Sequence, residues 1–184
     1  MRSLACIVSL GFAVALAGCP SPRVDGPGPT APAPVGTAPA ATARGQVLEF
    51  VLDPVDREYD HQAESQALRG KRAVVLLLAS YDVGSLMALR TLAPMLNDLP
   101  KDATCLEVAM QPIGDREIIA AFLDAEKTPC RRAIGDPKRG RLGDLAAVKV
   151  IPAVIVLRAD GTVAGTLSGS FGAEDVRAVL DKAK

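Results

Sequence analysis

Sulfur is the first reactive element to look for in this chain. Its 184 residues hold four cysteines, Cys6, Cys19, Cys105 and Cys130, and one histidine, His61. A cysteine thiolate exchanges disulfides, binds metal or carries a covalent group. No two of these cysteines stand at C-x-x-C spacing, and none lies between Cys19 and Cys105. His61 sits in Glu58-Tyr59-Asp60-His61 with no second His and no Cys beside it, so it reads as a surface-loop residue rather than a zinc ligand. The acidic cluster Asp53, Asp56 and Glu58 beside Tyr59 lacks the spacing of a calcium loop. Ser168-Gly169-Ser170 is not a G-x-S-x-G nucleophile elbow; it reads as the exit of a hairpin. Phosphate-loop and dinucleotide fingerprints are absent, so no metal and no cofactor is implied.

Composition narrows the classes further. Lys+Arg 21 balance Asp+Glu 21, a formal net charge of zero, which argues against a nucleic-acid partner. The basic residues Arg131, Arg132, Lys138, Arg139 and Arg141 then read as a solvated rim. A hydrophobic content of 49% is too high for a disordered chain.

The positions that must carry and place any chemistry fall into three stretches. Met1-Arg2-Ser3 is a short cationic start, and residues 4–17 are mostly apolar but too short for a membrane span. They end in Leu16-Ala17-Gly18-Cys19, which resembles the lipobox of bacterial lipoproteins. The resemblance implies that 1–18 is a signal peptide taking Cys6 with it. It also implies that Cys19 becomes an acylated terminus partnered with a lipid bilayer, in the cell envelope and facing the periplasm. Pro20, where that family has Asp for inner-membrane retention, points to the outer membrane. Residues 19–45 read as a tether; its Pro- and Ala-rich stretch 20–44 would span up to roughly 75 Å as polyproline II.

Residues 46–184 read as one folded α/β domain. Residues 46–52 fit an edge strand. The continuous apolar run 73–79 fits a strand buried on both faces of a parallel sheet. Leu86, Leu89, Leu92, Leu96 and Leu99 have helical spacing, interrupted by Pro94. A second strand follows at 104–110. Asp115 is placed to cap a helix whose apolar face is Ile118, Ile119, Phe122 and Leu123. A short strand at 131–134, a short helix at 142–148, and strands at 153–157 and 162–167 joined by Asp160-Gly161 come next. A last helix at 172–184 packs Val176, Val179 and Leu180. Strands joined by helices run parallel and the final hairpin antiparallel, giving a central mixed sheet flanked by helices.

That order, with Leu68-Arg69-Gly70-Lys71 before the first core strand, Gly135-Asp136-Pro137 after the short strand, and 148–157 followed by Asp160-Gly161, resembles the TlpA-like and peroxiredoxin-like thioredoxin-fold proteins. The resemblance implies a thioredoxin-like fold over 46–184, with Pro152 at the family's cis-proline position. It implies that the backbone at Ile151 offers a ledge to an extended peptide.

The family's oxidoreductases carry C-x-x-C at the start of the first core helix, with Pro five residues after the second Cys. Counted back from Pro94, Leu86-Met87-Ala88-Leu89 stand in those places, and neither Leu86 nor Leu89 can form a thiolate. In the family's arrangement the strands that carry Cys105 and Cys130 are parallel neighbours, which implies a Cys105–Cys130 disulfide at the rim opposite that helix start, stabilising by roughly 3 kcal/mol. The resulting expectation has no catalytic residue. It is a redox-inactive module whose groove, lined by Tyr81, Leu86, Leu89, Ile151 and Pro152, binds an extended peptide or an envelope protein. The alternative is a thiol–disulfide oxidoreductase working through Cys105 and Cys130; a third reading is a purely structural lipoprotein.

Overall fold

The computed structural model describes residues 44–56 and 62–184. The signal peptide, Cys6, Cys19, the tether up to residue 43, and Glu58, Tyr59 and His61 lie outside the described residues.

The sheet is built outward from the run anticipated at 73–79. This is β3 (Arg72–Leu78), buried along its whole length. Helical crossovers bring β4 (Ala103–Ala109) and then β5 (Arg131–Ile134) parallel to it. On its other side lies β6 (Ala153–Leu157), antiparallel, followed by β7 (Val163–Ser168). Two short strands, β1 (Val51–Pro54) and β2 (Ala63–Glu64), extend the far edge, giving the order β2-β1-β5-β4-β3-β6-β7. The sheet is mixed, as the connection lengths require. The edge strand is shorter than 46–52; Val47 makes only a single bridge to Thr162.

Side chains alternate between the two faces. One face, with Val74, Leu76 and Leu78, packs against α1 (Val83–Asn97), α2 (Arg116–Asp124) and α3 (Ala173–Asp181) through Leu89, Leu92, Leu96, Ile119, Leu123, Val176 and Leu180. The other, with Ala73, Val75 and Leu77, is covered by Leu48, Phe50, Leu68 and Leu145.

Three local expectations need correction. First, α1 begins at Val83, one turn before Leu86, and continues through Pro94. Second, Asp115 makes no side-chain cap on α2; its carboxyl accepts instead from Gln111 Nε2 at 3.3 Å. Ile118 turns to solvent, 62% exposed, while Ile119 is buried. Third, the helix expected at 142–148 is a single 3-10 stretch, Gly143–Ala147.

Candidate functional site

Two places in this fold could carry chemistry, at opposite ends of the parallel strands. At the carboxyl end, the Ile151–Pro152 bond is cis. The start of α1 comes up against it: a Cβ on Gly84 would lie 3.3 Å from Pro152 Cδ. The residues at this helix start are therefore Asp82, Val83, Gly84 and Ser85, not Leu86 to Leu89.

Asp82 is the N-cap, accepting from the Ser85 backbone N–H at 2.6 Å and the Ser85 hydroxyl at 2.7 Å. The Ser85 hydroxyl oxygen in turn accepts from Ala79 N–H at 3.0 Å. The hydrogen bond from the Ser85 hydroxyl is the main cause holding the Asp82 carboxyl below its ordinary value, with the backbone N–H bonds adding to it. Ser85 is fully buried and its hydroxyl is committed on both sides, so the pair works as a cap rather than a nucleophile.

The side chains expected to line a groove beside Pro152 differ widely in exposure. Leu89 is fully buried under α1 in the core, Leu86 is half-buried, and Tyr81 is 73% exposed. Ile151 is half-buried and packs against the opposite core, while the Pro152 carbonyl accepts from Gly169 N–H at 2.9 Å. A surface cavity of about 430 Å³ opens elsewhere, among Arg72, Asp102, Arg158 and Lys184.

At the amino-terminal end, Cys105 and Cys130 are bonded, S–S 2.00 Å with Cα atoms 4.7 Å apart. The register explains the approach. Leu106 faces Arg131 across the parallel β4–β5 ladder, so the residue before each faces the other. Cys105 lies opposite Val74, three residues (about 10 Å) below the Leu77–Ala153 pair that adjoins Pro152. Both sulfurs are shielded: Cys105 is 4% exposed and Cys130 9%.

Beside the bond lies a group that sequence reasoning passed over. Glu107 stands two residues after Cys105 on the same face of β4, and it is 0% exposed. Burial pushes its carboxyl up to about 7, against the lowering effects of the Thr128 hydroxyl and of Arg132 on β5. Thr128 Oγ1 donates to Glu107 Oε1 at 2.5 Å, and Oε2 has no partner. The signal was a single acid inside the apolar stretch Cys105-Leu106-Glu107-Val108-Ala109.

The remaining candidates are structural. Asp53 pairs with Arg139 at 3.0 Å, and Asp56 with Arg132, which also binds Asp124. Among the described residues no cluster of three or more His, Cys, Asp or Glu side chains could hold a metal ion.

No family model matches the chain, and no curated protein matches it. Solved structures do. One is a thiol:disulfide interchange protein of the thioredoxin family from Chlorobium tepidum, 16% identical, covering 77% of this chain and 97% of that one, TM-score 0.61. A second is a secreted Mycobacterium tuberculosis disulfide oxidoreductase homologous to E. coli DsbE, 14% identical, covering 72% and 94%, TM-score 0.58. A third is a DsbF homologue from Corynebacterium diphtheriae, 16% identical, covering 76% and 87%, TM-score 0.62.

These comparisons and the bonded pair correct the expectation of a redox-inactive binding or scaffolding module. That expectation gave the Cys105–Cys130 disulfide a structural role only, and the alternative that works through this pair is the better supported. The disulfide bridges β4 and the entry to β5, as expected, and the solved structures that the fold resembles are named for disulfide interchange. The described domain has a thioredoxin-like fold.

Proposed function

We propose that this protein is a thiol–disulfide oxidoreductase of the cell envelope whose exchanging pair is Cys105–Cys130. The observation that carries the reading is the bonded pair itself, one cysteine on a core strand and the other, the more exposed of the two, at the mouth of the adjacent strand. A thiolate of a partner protein attacks Cys130 Sγ. The S–S bond breaks, and Cys105 leaves with the electron pair. A second thiolate of the same partner then displaces Cys130. The partner dithiol is oxidised to a disulfide, and Cys105 and Cys130 take up two electrons. The lipobox-like Leu16-Ala17-Gly18-Cys19 supports a lipid anchor at Cys19 that holds the domain on a bilayer facing the periplasm. Pro20 after that cysteine favours the outer membrane. The partner is an envelope protein with exchangeable cysteines.

The test is insulin-disulfide reduction with dithiothreitol supplying the electrons, read above the dithiothreitol-only rate, by the protein and by a Cys105→Ala, Cys130→Ala double variant shown to be folded by circular dichroism. Turnover by the wild type and none by the variant is expected; equal rates overturn the reading. Mass spectrometry of the protein isolated from membranes reads the acylation of Cys19 directly.

A further inference from the structure

Charge balances over the chain as a whole, but not at the mouth of β5, where the Cys105–Cys130 bond lies. Cys130, the more exposed of the two cysteines, stands just before that strand. Arg131 follows it directly, is exposed, and has no ion pair or side-chain hydrogen bond among the described residues. Lys127, three residues before Cys130 in the turn that leaves α2, is exposed and equally unpaired. Consecutive Cα atoms lie about 3.8 Å apart, so the backbone carrying both cations stands within roughly 11 Å of Cys130.

The carboxylates of the same neighbourhood are already paired. Asp102 is held by Arg72 at 2.9 Å, Glu126 by Arg90 at 2.9 Å, and Asp56 and Asp124 both by Arg132. The shared Arg132 leaves one negative charge in excess, which Arg131 and Lys127 together outweigh. Lys101 and Asp98, both free and of opposite sign in the loop before β4, offset each other. Glu107 is buried, with Thr128 bonded to it.

We propose that this positive mouth selects the partner by charge: the segment whose thiolate attacks Cys130 carries carboxylates beside its cysteine. This deepens the proposed function and rests on the Cys105–Cys130 pair being the exchanging one. The attacking thiolate forms a bond to Cys130 Sγ as Cys105 leaves with the electron pair, so negative charge is carried onto the bond. Arg131 and Lys127 favour both that charge and the arrival of an anionic segment. Both side chains are in water, so the benefit falls as salt rises.

The experiment follows reduction of the disulfide by two five-residue peptides with a central cysteine, flanked by Glu in one and by Lys in the other. Each rate is divided by that of the same peptide with the uncharged bis(2-hydroxyethyl) disulfide, which removes differences in thiolate fraction and reactivity. At 10 mM salt the corrected rate of the acidic peptide exceeds that of the basic one about tenfold. At 1 M salt the screening length shrinks from about 30 Å to about 3 Å, and the ratio falls below about twofold. Arg131→Glu with Lys127→Glu, both at exposed positions, reverses the preference at 10 mM. Arg131→Gln, the milder second variant should the first not fold, lowers the ratio about threefold. Equal corrected rates at 10 mM, a faster basic peptide, or a ratio that neither salt nor the variants change overturns the charge selection and leaves the redox reading standing. Reduction that occurs only in step with global unfolding, tracked by circular dichroism in urea, overturns both.

Discussion

The Ser85 hydroxyl donates a hydrogen bond to Asp82 Oδ2 at 2.7 Å, and this pair, not Leu86 and Leu89, occupies the helix start that faces cis-Pro152. The position matters because a helix N-terminus lowers the pKa of a thiol placed there.

The register can be read out by substitution. Asp82→Cys with Ser85→Cys builds a C-x-x-C at the start of α1, and the thiolate absorbance of its first cysteine should titrate below the ordinary cysteine value of about 8.5. Leu86→Cys with Leu89→Cys puts its second thiol where exposure is 0%, so that thiol should stay unreactive to a disulfide reagent until the protein unfolds. Asp82→Ala alone should cost about 1 kcal/mol in urea unfolding, the worth of an N-cap.

Stability should peak in mildly acidic solution. Glu107 has its folded value raised from 4.5 to about 7, so between those pH values the folded state binds more protons than the unfolded chain. Stability therefore falls as pH rises from 4.5 to 7, by about 3 kcal/mol in all, and is level beyond. On the acid side, the carboxyls of Asp82, Asp102, Asp136 and Asp160 are held below 3.8, chiefly by hydrogen bonds from Ser85, Arg72, the Ile113 N–H and Thr162 respectively. Their contribution is present above 3.8 and is lost as pH falls through their folded values. Urea midpoints across pH 3 to 8 should trace both limbs, and Glu107→Gln should abolish the fall between 4.5 and 7 alone.

Gly143 should tolerate no side chain. Its φ is 53, and a Cβ there would lie 2.0 Å from the Glu49 carbonyl oxygen. That oxygen accepts from Asp144 N–H at 2.9 Å, while Asp144 Oδ2 takes the Glu49 N–H at 2.8 Å, so the backbones cannot separate without losing both bonds. Gly143→Ala should lose more than about 2 kcal/mol, measured by thermal and urea unfolding.

How far the sequence could be read depended on whether the deciding interaction was local. The run at 73–79 declared a doubly buried strand because nothing polar interrupts it, and Asp160-Gly161 marked the hairpin between β6 and β7 by turn chemistry alone. A fixed spacing counted back from Pro94 misplaces the start of α1, which the local cap sets. Asp82, three residues before Ser85, was the better signal. Glu107 was invisible for a different reason. Its burial comes from β5 and the turn at Thr128, more than twenty positions away, and no window along the chain brings them together. The same distance separates Cys105 from Cys130; their pairing was implied only through a family resemblance.

The bridge across β4 and β5 makes the intervening 25-residue separation a closed covalent ring within the linear chain, with α2 inside it. A nick in that ring, for instance by trypsin after the exposed Lys127, severs the polypeptide without shedding a fragment. The clipped molecule would migrate as one band on a denaturing gel and fall into two pieces once a reductant is added.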